Sequence, residues 1–225
     1  MYDRSFDELR TGFTAAVSHE LRTPLARILA LLDSTDLEGA DVAELIEQAR
    51  AEVENAGVLI DEILFLSELE SGKEVVSLGH TRALPVLEDV SRSLEDAAAR
   101  AGVTLHVEGD EDVELPLRPR MLKMVAENLA ENAIRYAGHG SRFSFEVRRT
   151  GDFAVLMAAD DGSGVPEETL PRLFERFFRG DSARTSRGTG LGLAIVKHIV
   201  AAAGGEVEAD GGQGRGLRIR ATFPA

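Results

Sequence analysis

Residues 41–66 read DVAELIEQARAEVENAGVLIDEILFL, and the fold of the first part of the chain can be inferred from this segment. Its apolar residues recur at alternating steps of four and three, the heptad pattern of a helix that packs lengthwise against other helices. The residues of this heptad seam are Val42, Ile46, Ala49, Val53, Ala56, Ile60 and Ile63. Leu45, Leu59 and Leu66 widen the seam beyond a simple coiled-coil edge. The pattern predicts a long helix with Asp41 as its N-cap.

A second helical pattern precedes this one, over residues 6–32. Its apolar stripe consists of Val17, Leu21, Pro24, Leu25, Ile28 and Leu32. Residues 33–41 supply Asp, Ser, Thr and Gly, which end the first helix, so the two helices are predicted to form a hairpin. Two helices cannot enclose a core by themselves, and we therefore expect two hairpins to pair into a four-helix bundle in a homodimer.

The composition of the chain excludes several classes of protein. Of its 225 residues 44% are apolar and 28% are charged, which is typical of a globular protein. The formal net charge of -14 repels phosphates, so nucleic-acid binding is not expected. With 0 Cys there is no disulfide, thiolate metal site or cysteine nucleophile. No apolar run reaches the roughly 18 residues of a membrane span, and the N-terminus lacks a signal-peptide pattern.

The sequence pattern changes after Gly79, where shorter helices alternate with strands. We predict a dimerisation domain over residues 1–71, a linker over 72–78 and a second domain over 79–225. The predicted elements of the second domain are a helix at 84–101, strands at 103–107 and 112–115, a helix at 119–136, strands at 141–149 and 153–160, a short helix after Pro166, a helix ending near Ala203 and two final strands. This order predicts an α+β sandwich of helices on a mixed sheet.

Residues 18–25 of the first helix, SHELRTPL, contain the first candidate for chemistry. His19 points almost opposite to the apolar stripe, so its imidazole should face solvent. A solvent-facing His beside a carboxylate, here Glu20, can act as a nucleophile. Thr23 shares the face of His19, and Pro24 removes a helical amide, so a bend is expected one turn beyond the His. Taken alone, the segment also fits an ordinary surface His.

Asn128 and Asn132 are one turn apart on the helix predicted at 119–136, with acidic residues nearby. Amide and carboxylate oxygens suit Mg²⁺ that carries phosphates. Two Asn on a solvated helix face are the alternative.

Two glycine-rich segments follow, DDGSG at residues 160–164 and GTGLGL at 188–193. Asp160 ends an apolar strand, where a buried carboxylate can accept an exocyclic amine and glycines let a ligand approach the backbone. The second segment opens a helix, whose free amides favour phosphate. A plain turn and a tight loop are the alternatives. An arginine-rich stretch between them, residues 172–187, indicates an anionic ligand.

In this order the five segments closely resemble the motifs of the sensor histidine kinases of two-component systems, over residues 6–224. The matching segments are the H box at 18–25, the N box at 128–136, the G1 box at 160–164, the F box at 173–179 and the G2 box at 188–193. The resemblance implies a phosphoacceptor four-helix domain followed by a Bergerat-type ATP-binding domain, with ATP and Mg²⁺ as cofactors. It also implies a cytoplasmic location, either as the cytoplasmic portion of a membrane sensor whose membrane segments are absent from this chain or as a soluble member of the family.

The same resemblance assigns roles to the matching residues. His19 would attack the γ-phosphate of ATP, Glu20 would orient the ring and take its proton, and Thr23 would hold the water that dephosphorylates the regulator. Asn128 and Asn132 would hold Mg²⁺ and phosphate. The remaining nucleotide-facing residues would be Arg135, Tyr136, Asp160, Gly162, Gly164, Arg176, Arg179, Gly188, Thr189, Gly190, Leu191 and Gly192. Asp160 would recognise the adenine amine. The chain departs from the family where Leu217 follows Gly214-Arg215-Gly216, since Ser or Thr is common there.

We compare three classes of function with these motifs. The favoured class is a kinase that passes phosphate from its own His to an Asp of a response-regulator receiver domain, and that also dephosphorylates the regulator. The alternative is a dimeric regulator phosphatase or scaffold in which ATP is only a conformational ligand; a missing Glu20 or Asn132 would favour it, and both are present. A general ATPase of the chaperone or topoisomerase kind would lack His19 on a dimerising hairpin.

Overall fold

The computed structural model describes residues 3–37, 41–70, 79–180 and 188–224, with side chains from Val17 onwards. Contacts divide the chain into two compact units, Met1–Ser67 and Glu68–Ala225. The predicted linker at 72–78 lies outside the described residues, so the domain limits stay a prediction. No helix in the described ranges combines the length and apolar character needed to cross a bilayer.

The first unit contains the predicted helical hairpin. Helix α1 spans Asp3–Ser34 and continues through Pro24, and helix α2 spans Val42–Glu70. Asp41 Oδ1 accepts the amide of Glu44 at 3.1 Å, which is the geometry of an N-cap. The two helices are joined by an ion pair in which Arg27 Nη1 lies 3.6 Å from Oε1 of the buried Glu52.

The hairpin has a buried apolar side and an exposed one. Ala49, Leu59 and Leu66 are buried. The exposed large apolar side chains of the hairpin include Leu25, Leu29, Leu32, Val42, Ile46, Val53, Val58, Ile60 and Leu64. Much of the predicted heptad seam is therefore uncovered in a single chain. Exposed apolar area of this extent is typical of a surface that contacts another protein.

The second unit is the predicted α+β sandwich. Its elements are β1 (Thr81–Arg82), α3 (Ala83–Ala101), β2 (Thr104–Gly109), β3 (Glu114–Leu115), α4 (Pro119–Tyr136), β4 (Arg142–Thr150), β5 (Phe153–Asp160), a 3₁₀ helix (Glu167–Arg172), α5 (Gly192–Ala202), β6 (Glu206–Gly211) and β7 (Leu217–Pro224). The main sheet has the order β2-β4-β5-β7-β6, in which β2 is parallel to β4 and the other pairs are antiparallel. This mixed sheet confirms the predicted fold class.

The helices of the second unit pack on one face of the sheet. Helices α3, α4 and α5 pack on the sheet and on one another. Strand β4 alternates the buried Phe143, Phe145 and Val147 with more exposed residues, as expected for a sheet covered on one side. Asp160 is paired in register with Phe143, so it lies on the helix side at the end of β5. The strand thereby brings a carboxylate between the sheet and the helical layer.

Candidate active site

His19 lies on the solvent-facing side of α1, as predicted. Its side chain is 76% exposed, and its Nδ1 lies 3.5 Å from Glu20 Oε1. The Thr23 hydroxyl is one turn further on and lies 3.4 Å from the backbone carbonyl of His19. A neutral imidazole whose Nδ1–H faces Glu20 carries its lone pair on Nε2. The arrangement therefore presents a nucleophilic nitrogen to solvent.

Another described His also lies close to a carboxylate. His106 on strand β2 has its Nε2 3.5 Å from Glu108 Oε2, and both side chains are exposed. Residues two apart on a strand share a face, so the spacing of this pair could have revealed it. What distinguishes His19 is its place on the helical hairpin.

Helix α4 carries the N-box residues, and Asn128 adjoins the start of α5. The side-chain amide of Asn128 donates from Nδ2 to the carbonyl of Met124 at 2.8 Å, which fixes the side chain and leaves Oδ1 as the acceptor. A Cβ at Gly192 would lie only 2.4 Å from that Oδ1. A side chain at position 192 would therefore displace the amide group of Asn128. Asn132, one turn along α4, is partly buried.

The other end of the G2 box also meets α4. A Cβ at Gly188 would lie 2.8 Å from Arg135 Nη1 and 3.0 Å from the Tyr136 hydroxyl. The hydroxyl of Thr189 accepts the amide of Leu191 at 3.2 Å, immediately before the first turn of α5. Amides of a first helical turn have no partner within the helix and can bind an anion. The structure thus brings the G2 box and the N box together.

The Asp160 loop, residues 160–164, packs on the C-terminal end of α4. Asp160 Oδ1 accepts the amide of Gly162 at 2.9 Å. The amide of Ser163 donates to the carbonyl of Ala137 at 2.9 Å, and a Cβ at Gly162 would lie 2.1 Å from the same oxygen. Glycine is therefore required at 162, and the predicted adenine carboxylate lies in a tightly held loop.

The carboxyl group of Asp160 is partly buried, and this affects its protonation. Burial is the largest influence and raises its pKa above the ordinary 3.8. The backbone amides of Gly162 and Leu217 oppose that shift, and the negative charge of Asp161 adds to it. The carboxylate is thus partly shielded from water and is oriented by backbone donors, as suits recognition of an amine.

The F-box arginines lie in the second unit. Burial lowers the pKa of Arg176, which is partly buried. The pKa of His198 on α5 is also lowered, first by burial and further by the charges of Arg176 and Lys197, so Arg176 lies near α5. Arg179 is partly buried as well, whereas part of the predicted cationic stretch, residues 181–187, lies outside the described residues.

The backbone connects the F box to the G2 box. Phe177 has a φ of 59°, unusual for a residue with a side chain, and its amide donates to the carbonyl of Gly190 at 2.9 Å. A Cβ at Gly190 would lie 2.9 Å from the Phe177 backbone. The two boxes are therefore in direct contact.

Two family models match the chain, in the order predicted. The His Kinase A (phospho-acceptor) domain matches residues 9–72, which include His19. The histidine kinase-, DNA gyrase B-, and HSP90-like ATPase model matches residues 118–225, which include Asn128, Asn132 and Asp160. The chain belongs to the sensor histidine kinases of two-component systems, as the resemblance of its motifs implied.

The sequence relatives are longer proteins. The sensor-like histidine kinase SenX3 of Mycobacterium tuberculosis is 32% identical over 222 residues, which cover 96% of this chain and 54% of SenX3. The sensor histidine kinase WalK of Bacillus subtilis is 32% identical over 237 residues, which cover 97% of this chain and 37% of WalK. The chain thus spans about half or less of the length of these relatives.

Solved structures share the fold. The mycobacterial sensor histidine kinase MprB is 30% identical, with a TM-score of 0.57 over 65% of this chain and 97% of that one. Full-length ShkA in complex with AMPPNP is 25% identical, with a TM-score of 0.71 over 93% of this chain and 45% of that one. ThkA in complex with the response regulator protein TrrA is 21% identical and supports the fold alone, with a TM-score of 0.76 over 98% of this chain and 63% of that one.

Proposed function

We propose that this chain is a protein-histidine kinase that phosphorylates His19 from MgATP and transfers the phosphate to an Asp of a response-regulator receiver domain. We also propose that it dephosphorylates that regulator. The observation that carries the proposal is the exposed His19 with Glu20 Oε1 3.5 Å from its Nδ1, on the helical hairpin of a chain whose second unit has the ATPase fold. Family membership supports both halves of the reaction.

The nucleotide would bind where the Asp160 loop, the G2 box and α4 meet. Asp160 would accept the adenine amine, since its partly buried carboxylate can make a strong charged hydrogen bond. The phosphates would reach Gly188 to Gly192, where glycines leave the backbone accessible and α5 begins. Arg135, Tyr136, Arg176 and Arg179 would contribute positive charge and hydrogen-bond donors around the phosphates. The complex of full-length ShkA with AMPPNP supports nucleotide binding by a protein of this fold.

Asn128 and Asn132 would hold Mg²⁺ through their side-chain oxygens. Asn128 suits this role because its Nδ2 donates to the carbonyl of Met124, which leaves Oδ1 as the acceptor for a cation. Oδ1 adjoins Gly192, where a side chain would crowd it. Among the described residues no group of three or more His, Asp or Glu could hold a metal, so phosphate oxygens and water would supply the other ligands. When bound, Mg²⁺ neutralises the charge of the triphosphate.

His19 and Glu20 would carry out the phosphoryl transfer. The lone pair on Nε2 forms the bond to the γ-phosphorus, while the bond from that phosphorus to the bridging oxygen breaks and ADP leaves with the electron pair. As positive charge develops on the ring, Glu20 stabilises it and accepts the Nδ1 proton. The product is a phosphoimidazole on an exposed helix face, from which a receiver Asp can take the phosphoryl group.

The proposed partners are a second copy of this chain and a receiver domain. The exposed apolar side of the hairpin supports a homodimer, because a second hairpin would bury it in a four-helix bundle. A shallow groove beside His19, lined by Arg22, Thr23, Ala26, Arg27 and Ala30, offers surface for a receiver domain. The response regulator protein TrrA, in its complex with ThkA, is an example of such a partner.

Incubation of the full chain with γ-labelled ATP and Mg²⁺ tests the proposal. Acid-labile, alkali-stable label on the protein, passed on to a receiver domain, is the result expected of the kinase. Release of phosphate without any labelled protein would instead indicate a general ATPase. ATP binding with neither outcome would indicate the regulator phosphatase or scaffold.

A further inference from the structure

The loop between β6 and β7, residues 211–217, contacts the Asp160 loop directly. The amide of Gly216 donates to the carbonyl of Gly162 at 3.1 Å, and the amide of Gly214 donates to the carbonyl of Ser163 at 2.7 Å. Two backbone hydrogen bonds therefore hold the two loops together, although they are far apart in the sequence.

The two loops approach so closely that only glycine fits at the contact. Gly216 has a φ of 72°, and a Cβ there would lie 1.9 Å from the carbonyl oxygen of Asp160. Gly164 has a φ of 63°, and a Cβ there would lie 2.0 Å from the carbonyl oxygen of Gly212. Each loop thus contributes a glycine to the contact with the other.

Arg215 adds a side-chain connection to the segment that follows the Asp160 loop. Its Nη2 donates to Glu167 Oε1, at the start of the 3₁₀ helix, and to the carbonyl of Gly211 at 3.1 Å. Its guanidinium covers Gly212, where a Cβ would lie 2.4 Å from Nη2. The β6–β7 loop therefore contacts the Asp160 loop through backbone hydrogen bonds. It also contacts the 3₁₀ helix after that loop, through the pair of Arg215 with Glu167.

The geometry of the adenine carboxylate depends on this loop. Asp160 Oδ1 accepts the amide of Gly162, and the carbonyl of Gly162 accepts the amide of Gly216. Any shift of the β6–β7 loop would therefore move the donor that orients the carboxylate. We propose that residues 211–217 position Asp160 for adenine recognition, with Arg215 and Glu167 as positioning residues. This inference rests on the proposed ATP site.

The expected loss of ATP affinity depends on how exposed the replaced side chains are. The side chains of Arg215 and Glu167 are 64% and 71% exposed, and an exposed ion pair changes an equilibrium by no more than about two- to fivefold. Replacement of Gly216 affects the backbone contact itself, and we expect at least about a tenfold loss of ATP affinity there.

The test uses calorimetric titration of the full chain with MgATP and MgGTP. Arg215→Ala and Glu167→Ala should each weaken ATP binding by about two- to fivefold and reduce the preference for ATP over GTP. Their double variant should lose no more than either single one, and the charge reversal Arg215→Glu with Glu167→Arg should restore affinity. Arg220→Ala is the matched control, because Arg220 pairs with Glu208 at 2.7 Å on the neighbouring strand and should leave both affinities unchanged.

A glycine pair provides the second measurement. Gly216→Ala should lose ATP affinity, whereas Gly151→Ala, with a φ of 60° but no atom within 4 Å of the new Cβ, has a comparable backbone cost and should retain it. If Gly216→Ala does not fold, the Arg215 series decides alone. Wild-type ATP affinity and base preference in Arg215→Ala and Glu167→Ala would overturn the inference while leaving the ATP site standing. A wild-type chain that binds neither nucleotide would overturn both.

Discussion

Replacement of Asp160 by Asn is the most specific perturbation of the proposed nucleotide site. The two side chains have nearly the same shape, so the change removes the charge and turns one acceptor oxygen into an NH₂ donor. The amide of Gly162, 2.9 Å from Asp160 Oδ1, would hold the remaining oxygen of Asn in that place. The new NH₂ group would then face the adenine amine, which is also a donor.

The magnitude follows from the type of hydrogen bond that is lost. A hydrogen bond to a charged group contributes about 1.5–3 kcal/mol, and exposure of part of the Asp160 side chain places the loss in the range of about 1–3 kcal/mol. This corresponds to about a five- to 150-fold increase in the Kd for ATP. Affinity for GTP should change much less, because guanine carries no amine at the equivalent position.

Isothermal titration calorimetry with MgATP measures the change directly. The matched control is Asp161→Asn, which neutralises the adjacent carboxylate, whose Oδ1 accepts the amide of Arg142 at 2.6 Å. Thermal unfolding of both variants establishes that they are folded. An ATP Kd in Asp160→Asn within about twofold of the wild-type value would refute the assignment of Asp160 to adenine.

Three further predictions concern separate groups. The Thr23→Ala variant should label itself near the wild-type rate, but its dephosphorylation of the regulator should fall at least about tenfold, because Ala cannot orient a water. Parallel loss of both activities in rate assays would instead indicate a helix defect near Thr23. Burial raises the pKa of Asp160 in the folded protein. Protonation of Asp160, as the pH falls through this raised pKa, should therefore weaken ATP binding and stabilise the folded state. Asp160→Asn should remove the pH dependence that Asp160 gives to ATP affinity, measured by calorimetry, and to stability, measured by urea titration. Gly192→Ala should displace Asn128 Oδ1 and cost about 1–2 kcal/mol of MgATP binding, whereas Gly180→Ala, with nothing within 4 Å of the new Cβ, should cost none in the same titration.

The elements that could be predicted are those whose signals are local. Helix α4 has the predicted limits because Pro119 occupies its first turn and its buried residues recur at steps of three and four. Strand β5 ends at Asp160, where its apolar run meets two acidic residues. The exposure of His19 followed from helical geometry alone.

The contacts that could not be predicted are non-local. Arg215 and Glu167 are 48 residues apart, and they meet because the strand order β5-β7-β6 brings the β6–β7 loop beside the end of β5. From the sequence, Gly214-Arg215-Gly216 resembled only a glycine motif of the family and indicated no contact with Glu167. The heptad seam predicted a bundle, but not which of its residues are buried in one hairpin and which stay exposed, since that depends on how α2 is rotated about its axis.

Self-labelling of two matched variants tests whether His19 is the phosphoacceptor. His19→Gln and His106→Gln each remove an exposed His whose ring nitrogen lies 3.5 Å from a carboxylate oxygen, on α1 and on β2 respectively. With γ-labelled ATP and Mg²⁺, the His106→Gln chain should label like the wild type, whereas the His19→Gln chain should bind ATP and remain unlabelled. Full labelling of His19→Gln, or loss of label in His106→Gln with ATP binding intact, would show that His19 is not the phosphoacceptor.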